Sequence, residues 1–226
     1  MLWLNYDGGS TLDAFWYAVS YKFSWIPLYV AMLVVMVRYA RQHPLPVARP
    51  QRFPGRHLHT LVLIILTTLI ILAADQISSG LIKPLVQRPR PSHEPGLMEM
   101  LHYVYGYHGG QFGFVSSHAA NTLALAVWIS LLFRNRTLLY AMVTFYLVNC
   151  YSRIYLGVHY PGDILCGSVI GALCGWLGYT IYKVYLRHRK AQHPPTGTVS
   201  VLPIALTFWA SMLIMAGFAV ITSLLS

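Results

Sequence analysis

Charge is what this chain has least of. Only 10% of its 226 residues are Asp, Glu, Lys or Arg, six of them acidic, while 56% are hydrophobic. Mean hydropathy is +0.54. A soluble domain keeps about a quarter of its residues charged, so this deficit excludes an ordinary soluble fold and points to an integral membrane protein. Cysteine is scarce too. Cys150, Cys166 and Cys174 sit in or beside apolar runs without a CxxC spacing, which excludes a disulfide framework and a cysteine zinc site. HExxH and carboxylate clusters of metal-ligand spacing are absent, so the expectation is a site that uses no metal and no cofactor. Repeats and low-complexity tracts are missing, and MLWLNYDGGS lacks the basic n-region of a cleavable signal peptide.

What is present is long apolar runs. Spans are expected near 25–40, 58–80, 119–133, 138–151, 164–186 and 201–225, which predicts an all-α integral membrane protein built as a six-transmembrane helix bundle. Ahead of them, LDAFWYAVSYKF (12–23) reads as an interfacial helix or as the outer turns of a tilted first span. The formal charge of +10 lies mostly in short connections. Arg38, Arg41, Arg49, Arg52 and Arg56 occupy one, Arg134 and Arg136 a second, and Lys183, Arg187, Arg189 and Lys190 a third. Such charge between apolar runs follows the positive-inside rule and argues against a nucleic-acid partner. With six spans, those connections share the cytoplasmic side and both termini face out. The acidic residues (Asp7, Asp13, Asp75, Glu94, Glu99 and Asp163) then fall on or near the outer side.

Apart from Lys22, the outer half holds Lys83, Arg88, Arg90 and Arg153, at or near span ends. A cation there either snorkels to the headgroups or lines a polar cavity. Three clusters favour the cavity. KPLVQRPRP (83–91) ends the second span, GFVSSHAAN (113–121) opens the third, and SRIYLGVHYPGD (152–163) joins the fourth to the fifth. By this topology all three meet at one face. Lys83, Arg90 and Arg153 provide the spread positive charge that a phosphate group needs. Ser116 and Ser117 stand where a helix start offers free N–H groups to an anion. His159 beside Asp163 is an oriented imidazole with one nitrogen free to attack. His118 supplies a proton for a departing oxygen. The set suits phosphoryl transfer through a phosphohistidine, with cations in the place of a metal.

These clusters resemble the type 2 phosphatidic acid phosphatase superfamily, whose signature is KxxxxxxRP, then PSGH, then SRxxxxxHxxxD. Lys83 to Pro91 fits the first part and Ser152 to Asp163 the third; the second reads VSSH, with Val115 in place of proline and Ser117 in place of glycine. The resemblance covers roughly residues 58 to 186 and implies a single domain of this family over 1–226, with its catalytic motifs within 83–163. It implies His159 as nucleophile, Asp163 as its orienting partner and His118 as general acid. Lys83, Arg90 and Arg153 become the phosphate clamp, with Ser116 and Ser117 as further donors.

The expected activity is removal of phosphate from a lipid at the extracytoplasmic end of the bundle, in a bacterial inner membrane. Undecaprenyl diphosphate and lipid A phosphates are the favoured substrates, followed by phosphatidic acid and phosphatidylglycerol phosphate. A lipid phosphotransferase, or a non-catalytic lipid-phosphate binding or transport protein, is the alternative. Two residues outside the signature are candidates for support. Asp75 recurs with Ser79 and Lys83 at i, i+4, i+8, either bracing the clamp or filling a structural hydrogen-bonding role. Arg88 reads equally as a fourth phosphate contact or a headgroup anchor. The loop LHYVYGYHGGQFGF (101–114) reads as an interfacial anchor or a recognition element.

Overall fold

A computed structural model describes residues 1–46, 55–191 and 199–225. Arg49 and Arg52 of the first basic connection lie outside the described residues. The described chain is helical, with a lone antiparallel bridge between Pro89 and Phe112. Its long helices are α1 (Gly9–Ser20), α2 (Ile26–Gln42) and α3 (Gly55–Asp75). After α3 come a π-helical stretch, Gln76–Ile82, and a final turn, α4 (Lys83–Val86). Then follow α5 (Ser117–Phe133), α6 (Arg136–Tyr155), α7 (Pro161–His188) and α8 (Leu202–Leu225).

Six spans were expected. Four helical stretches are long and apolar enough to cross a membrane: Lys22–Gln42, Gly55–Val86, Pro161–His188 and Leu202–Leu225. The 17 residues of α5 extend only about 26 Å at 1.5 Å per residue, short of about 30 Å of hydrocarbon. That helix is nonetheless apolar on every side, with Ala119, Ala124, Trp128, Ile129 and Leu132 all buried, as befits the centre of a bundle. The segment before the first span is a separate helix. α1 stops where Tyr21 turns extended (φ −80°, ψ 115°), and Trp25 Nε1 donates to the Val19 carbonyl at 2.8 Å across the break. It packs against α8 and α6 rather than prolonging α2.

The pairing of α5 with α7 is the closest in the bundle, and glycine permits it. Gly167, Gly171 and Gly175 recur every four residues along one side of α7. A Cβ at Gly167 or Gly171 would collide with the carbonyl oxygens of Ser116 and Ala120, and one at Gly175 would lie 2.6 Å from that of Ala124. Side chains are thus removed where two backbones touch, the small-residue packing that holds helices together in lipid. Gly178 makes the same room for Ile70 of α3.

The two ends of the bundle differ chemically. At one, His59 links the His43 carbonyl (2.6 Å) to the Tyr182 hydroxyl (2.8 Å), and Arg134 bonds the Tyr179 hydroxyl. This end carries the described basic connections. The three polar clusters gather at the other.

Gly171→Ala should lower stability by about 1–3 kcal/mol, the usual cost of overpacking. Gly217→Ala in α8, where a Cβ meets nothing within 4 Å, should be neutral or stabilising by up to about 1 kcal/mol. Thermal unfolding in detergent compares the two.

Candidate active site

The chain turns sharply into each cluster. α4 ends on Gln87 in the left-handed region (φ 50°), which swings Arg88 and Arg90 back over the bundle end. α5 opens on Ser116 as N-cap, its Oγ accepting the Ala119 N–H at 3.4 Å. α7 opens with Pro161 in its first turn, where fixed φ and a missing N–H cost nothing. Asp163 in that turn accepts the Tyr160 N–H at 2.9 Å.

His159 and Asp163 meet as expected, with Nδ1 and Oδ2 3.2 Å apart and both side chains fully buried. The carboxylate holds the Nδ1 proton and leaves Nε2 free. Burial, and then the charges of Arg153, Arg90, Lys83 and Arg88, keep the His159 pKa well below its ordinary 6.5. Burial and these cations therefore favour the neutral imidazole. His118 lies close enough to Arg153, His159, Lys83 and Arg90 to feel their charge. All three clusters therefore converge.

The clamp residues are held by groups that the motifs do not contain. Lys83 Nζ donates to Ser117 Oγ at 3.2 Å and to Ser79 Oγ at 3.5 Å, so the serine that replaces the motif glycine steadies the lysine. Arg90 Nε donates to the Phe112 carbonyl at 3.1 Å, and its backbone N–H to that of Gln111, also at 3.1 Å. Arg153 donates to Ser20 Oγ on α1 and, at 3.2 Å, to the Tyr107 hydroxyl. The 101–114 loop thus wraps two of the arginines. Asn5 ties the amino-terminal segment to the same place, bonding the backbones of Tyr155 (2.6 Å) and His102. Sequence spacing carried no signal for Ser20, Tyr107 or Asn5, because each partner is more than 40 residues away.

Both support candidates meet a polar partner. Arg88 pairs with Asp163 and lies between the rings of Phe114 and Tyr160, 5.0 and 4.8 Å from their centroids. It braces the histidine's partner. Asp75 accepts from Asn121 Nδ2 at 3.1 Å, in the structural hydrogen-bonding role, and its charge still reaches Lys83. The π-helical turns after it open the repeat beyond four residues. Ser116 is completely buried, spending its Oγ on the cap and its N–H on the Asp163 carbonyl at 3.0 Å.

Among the described residues, Arg90 Nη1, Arg153 Nε and Arg88 Nε are buried without a hydrogen-bond partner. Unpaired guanidinium N–H groups away from water are costly, and three together mark a place for an anion. One described grouping could hold a metal, Asp7, Asp13 and His102. It contains no residue of the clusters, and His102 Nε2 already meets Asp13 at 2.8 Å.

The pattern of the PAP2 superfamily matches residues 58–187. The chain belongs to the PAP2 superfamily. It is 32% identical over 213 residues to a lipid A 4'-phosphatase of Bacteroides thetaiotaomicron, covering 92% of this chain and 87% of that protein. Identity to a lipid A 4'-phosphatase of Porphyromonas gingivalis is 34% over 179 residues, 79% of this chain and 68% of the relative. An undecaprenyl-diphosphatase of Bacillus subtilis is 41% identical over 70 residues, 31% of this chain and 35% of its own. No solved structure matches the chain.

Gly109 holds the wrapping loop in the left-handed region (φ +68°), and a Cβ there would lie 2.7 Å from Arg90 Nη1. Gly109→Ala should cost about 1–2 kcal/mol of stability. By displacing Arg90 it should raise KM for a phosphate substrate more than it lowers kcat, as steady-state kinetics will test.

Proposed function

We propose that the protein is a membrane lipid phosphatase that works through a phosphohistidine without a metal. One observation carries this reading: buried arginines with open N–H groups surround an imidazole oriented by a carboxylate. A phosphate dianion satisfies those donors and offsets their charge.

Chemistry proceeds in two steps. Asp163 holds the proton on His159 Nδ1 while Nε2 attacks phosphorus. The P–N bond forms as the ester P–O bond breaks, and the departing oxygen takes a proton from His118, which carries one once the bound phosphate dianion offsets the surrounding cations. Water then attacks phosphorus and passes a proton to His118, the P–N bond breaks, and inorganic phosphate leaves with His159 restored. Lys83, Arg90 and Arg153 neutralise the phosphoryl oxygens throughout, so the stabilisation is electrostatic and in place before reaction. Ser117 steadies Lys83, and Ser116 fixes the helix start against Asp163.

The basic end of the bundle is cytoplasmic by the positive-inside rule. In this reading the site faces the outside of a bacterial inner membrane, with both termini outside. A lipid A-type phosphate is favoured over undecaprenyl diphosphate, because the lipid A 4'-phosphatase relatives align along most of the chain and the undecaprenyl-diphosphatase over a third of it.

Purified protein in detergent with EDTA should release phosphate from a lipid A-type substrate in a panel of lipid phosphates. His159→Ala should lower kcat/KM by at least about 1000-fold, as loss of a nucleophile does. Turnover of no lipid phosphate would overturn the enzyme reading, and abolition by EDTA the metal-free one.

The pH profile follows from the depressed His159 pKa. A base must be neutral to attack, so lowering its pKa moves the acid limb of kcat/KM to lower pH. That limb should lie below pH 6.5; a limb at or above that value would contradict the assignment.

A further inference from the structure

Beyond His118 lies a chamber of about 370 Å³ whose walls include Asp75, Ser117, Asn121 and Asn149 together with Trp25 and Phe145. His118 also borders a second cavity of about 270 Å³ that it shares with Arg153 and Tyr107. His159 lines neither. The general acid therefore stands between the clamp and the chamber. In-line displacement puts the departing oxygen on the side of the phosphorus away from His159, next to the group that protonates it.

On the wall of this chamber Asp75 can only accept, and Asn121 carries an acceptor that lacks a donor. Asp75 is a carboxylate inside a membrane-spanning helix, a costly placement that marks function by default. It accepts from Asn121, and since a carboxylate only accepts, the amide nitrogen must face it. That turns Asn121 Oδ1 the other way, where it is buried with no partner among the described residues. Lys22 also borders the chamber, but its Nζ rests over the Phe23 ring at 5.1 Å. Aromatic and aliphatic walls with a few placed polar groups are the usual make-up of a ligand pocket.

We propose that this chamber receives the departing alcohol, and that Asp75 and Asn121 select one that donates hydrogen bonds. A sugar hydroxyl flanked by further hydroxyl or amide N–H groups meets that need. A polyprenyl alcohol leaves Asn121 Oδ1 unmet, and the second phosphoryl group of a diphosphate brings negative charge towards Asp75. The inference rests on the phosphatase reading, with His118 as the acid.

Two monophosphates that differ only in the leaving group test it: a glucosaminyl lipid phosphate and a polyprenyl phosphate. Wild-type kcat/KM should favour the glycolipid by at least about tenfold, since sites built to bond a hydroxyl reject analogues lacking it. Asp75→Asn and Asn121→Leu should each bring that ratio close to one by loss on the glycolipid, with the polyprenyl rate held within about twofold. A wild-type ratio of one or less would overturn the proposal without recourse to any variant. So would variants that lower both rates alike, because that pattern means a structural role. A wild type that turns over neither substrate overturns the phosphatase reading itself.

Discussion

Backbone contact between α5 and α7 is the constraint on which the site depends. In lipid there is no gain from hiding apolar surface, so helices associate through close van der Waals packing. Three glycines of α7 place the two helices near enough for the Ser116 N–H to reach the Asp163 carbonyl at 3.0 Å. That bond joins the start of the helix carrying His118 to the first turn of the helix carrying Asp163. Larger side chains along this seam would separate the histidines, because each is set within a few residues of the contact.

Electrostatics is the second organising force, and it is unbalanced. Asp163 is buried and serves three partners at once, His159, the Tyr160 N–H and Arg88. Lys83, Arg90 and Arg153 have no comparable counter-ion among the described residues. Burial and the neighbouring Arg153 push the Arg90 pKa down, the sign of cations held together against repulsion. The protein holds them with neutral groups instead, namely Ser20, Ser79, Ser117, the Tyr107 hydroxyl and the Phe112 carbonyl. Neutral acceptors fix the geometry and leave the charge available to an anion.

Helices were legible because apolar runs of this length have few other uses, and observed boundaries lie within about four residues of expectation at nearly every helix, as is usual for element ends. The exception is the second span, which runs on through the π-helical stretch to Val86. Its register was illegible, since a change of helical period leaves no mark in composition. Nor did spacing show that Asp75 meets Asn121, 46 residues on. Arg88 escaped for a similar reason: its partner Asp163 lies 75 residues on, and near a span end an arginine meant for a lipid headgroup looks the same.

The sequence by itself determined an all-helical membrane protein with three polar clusters, because hydropathy and local spacing are properties of consecutive residues. It also determined the His159–Asp163 pair, four residues apart around a proline-led helix start. Only the tertiary structure decided which neutral groups hold the clamp, that Arg88 braces Asp163, and that a chamber with an unsatisfied acceptor lies behind His118. Those relations join residues far apart in the chain, and they exist only once glycine has let the helices close.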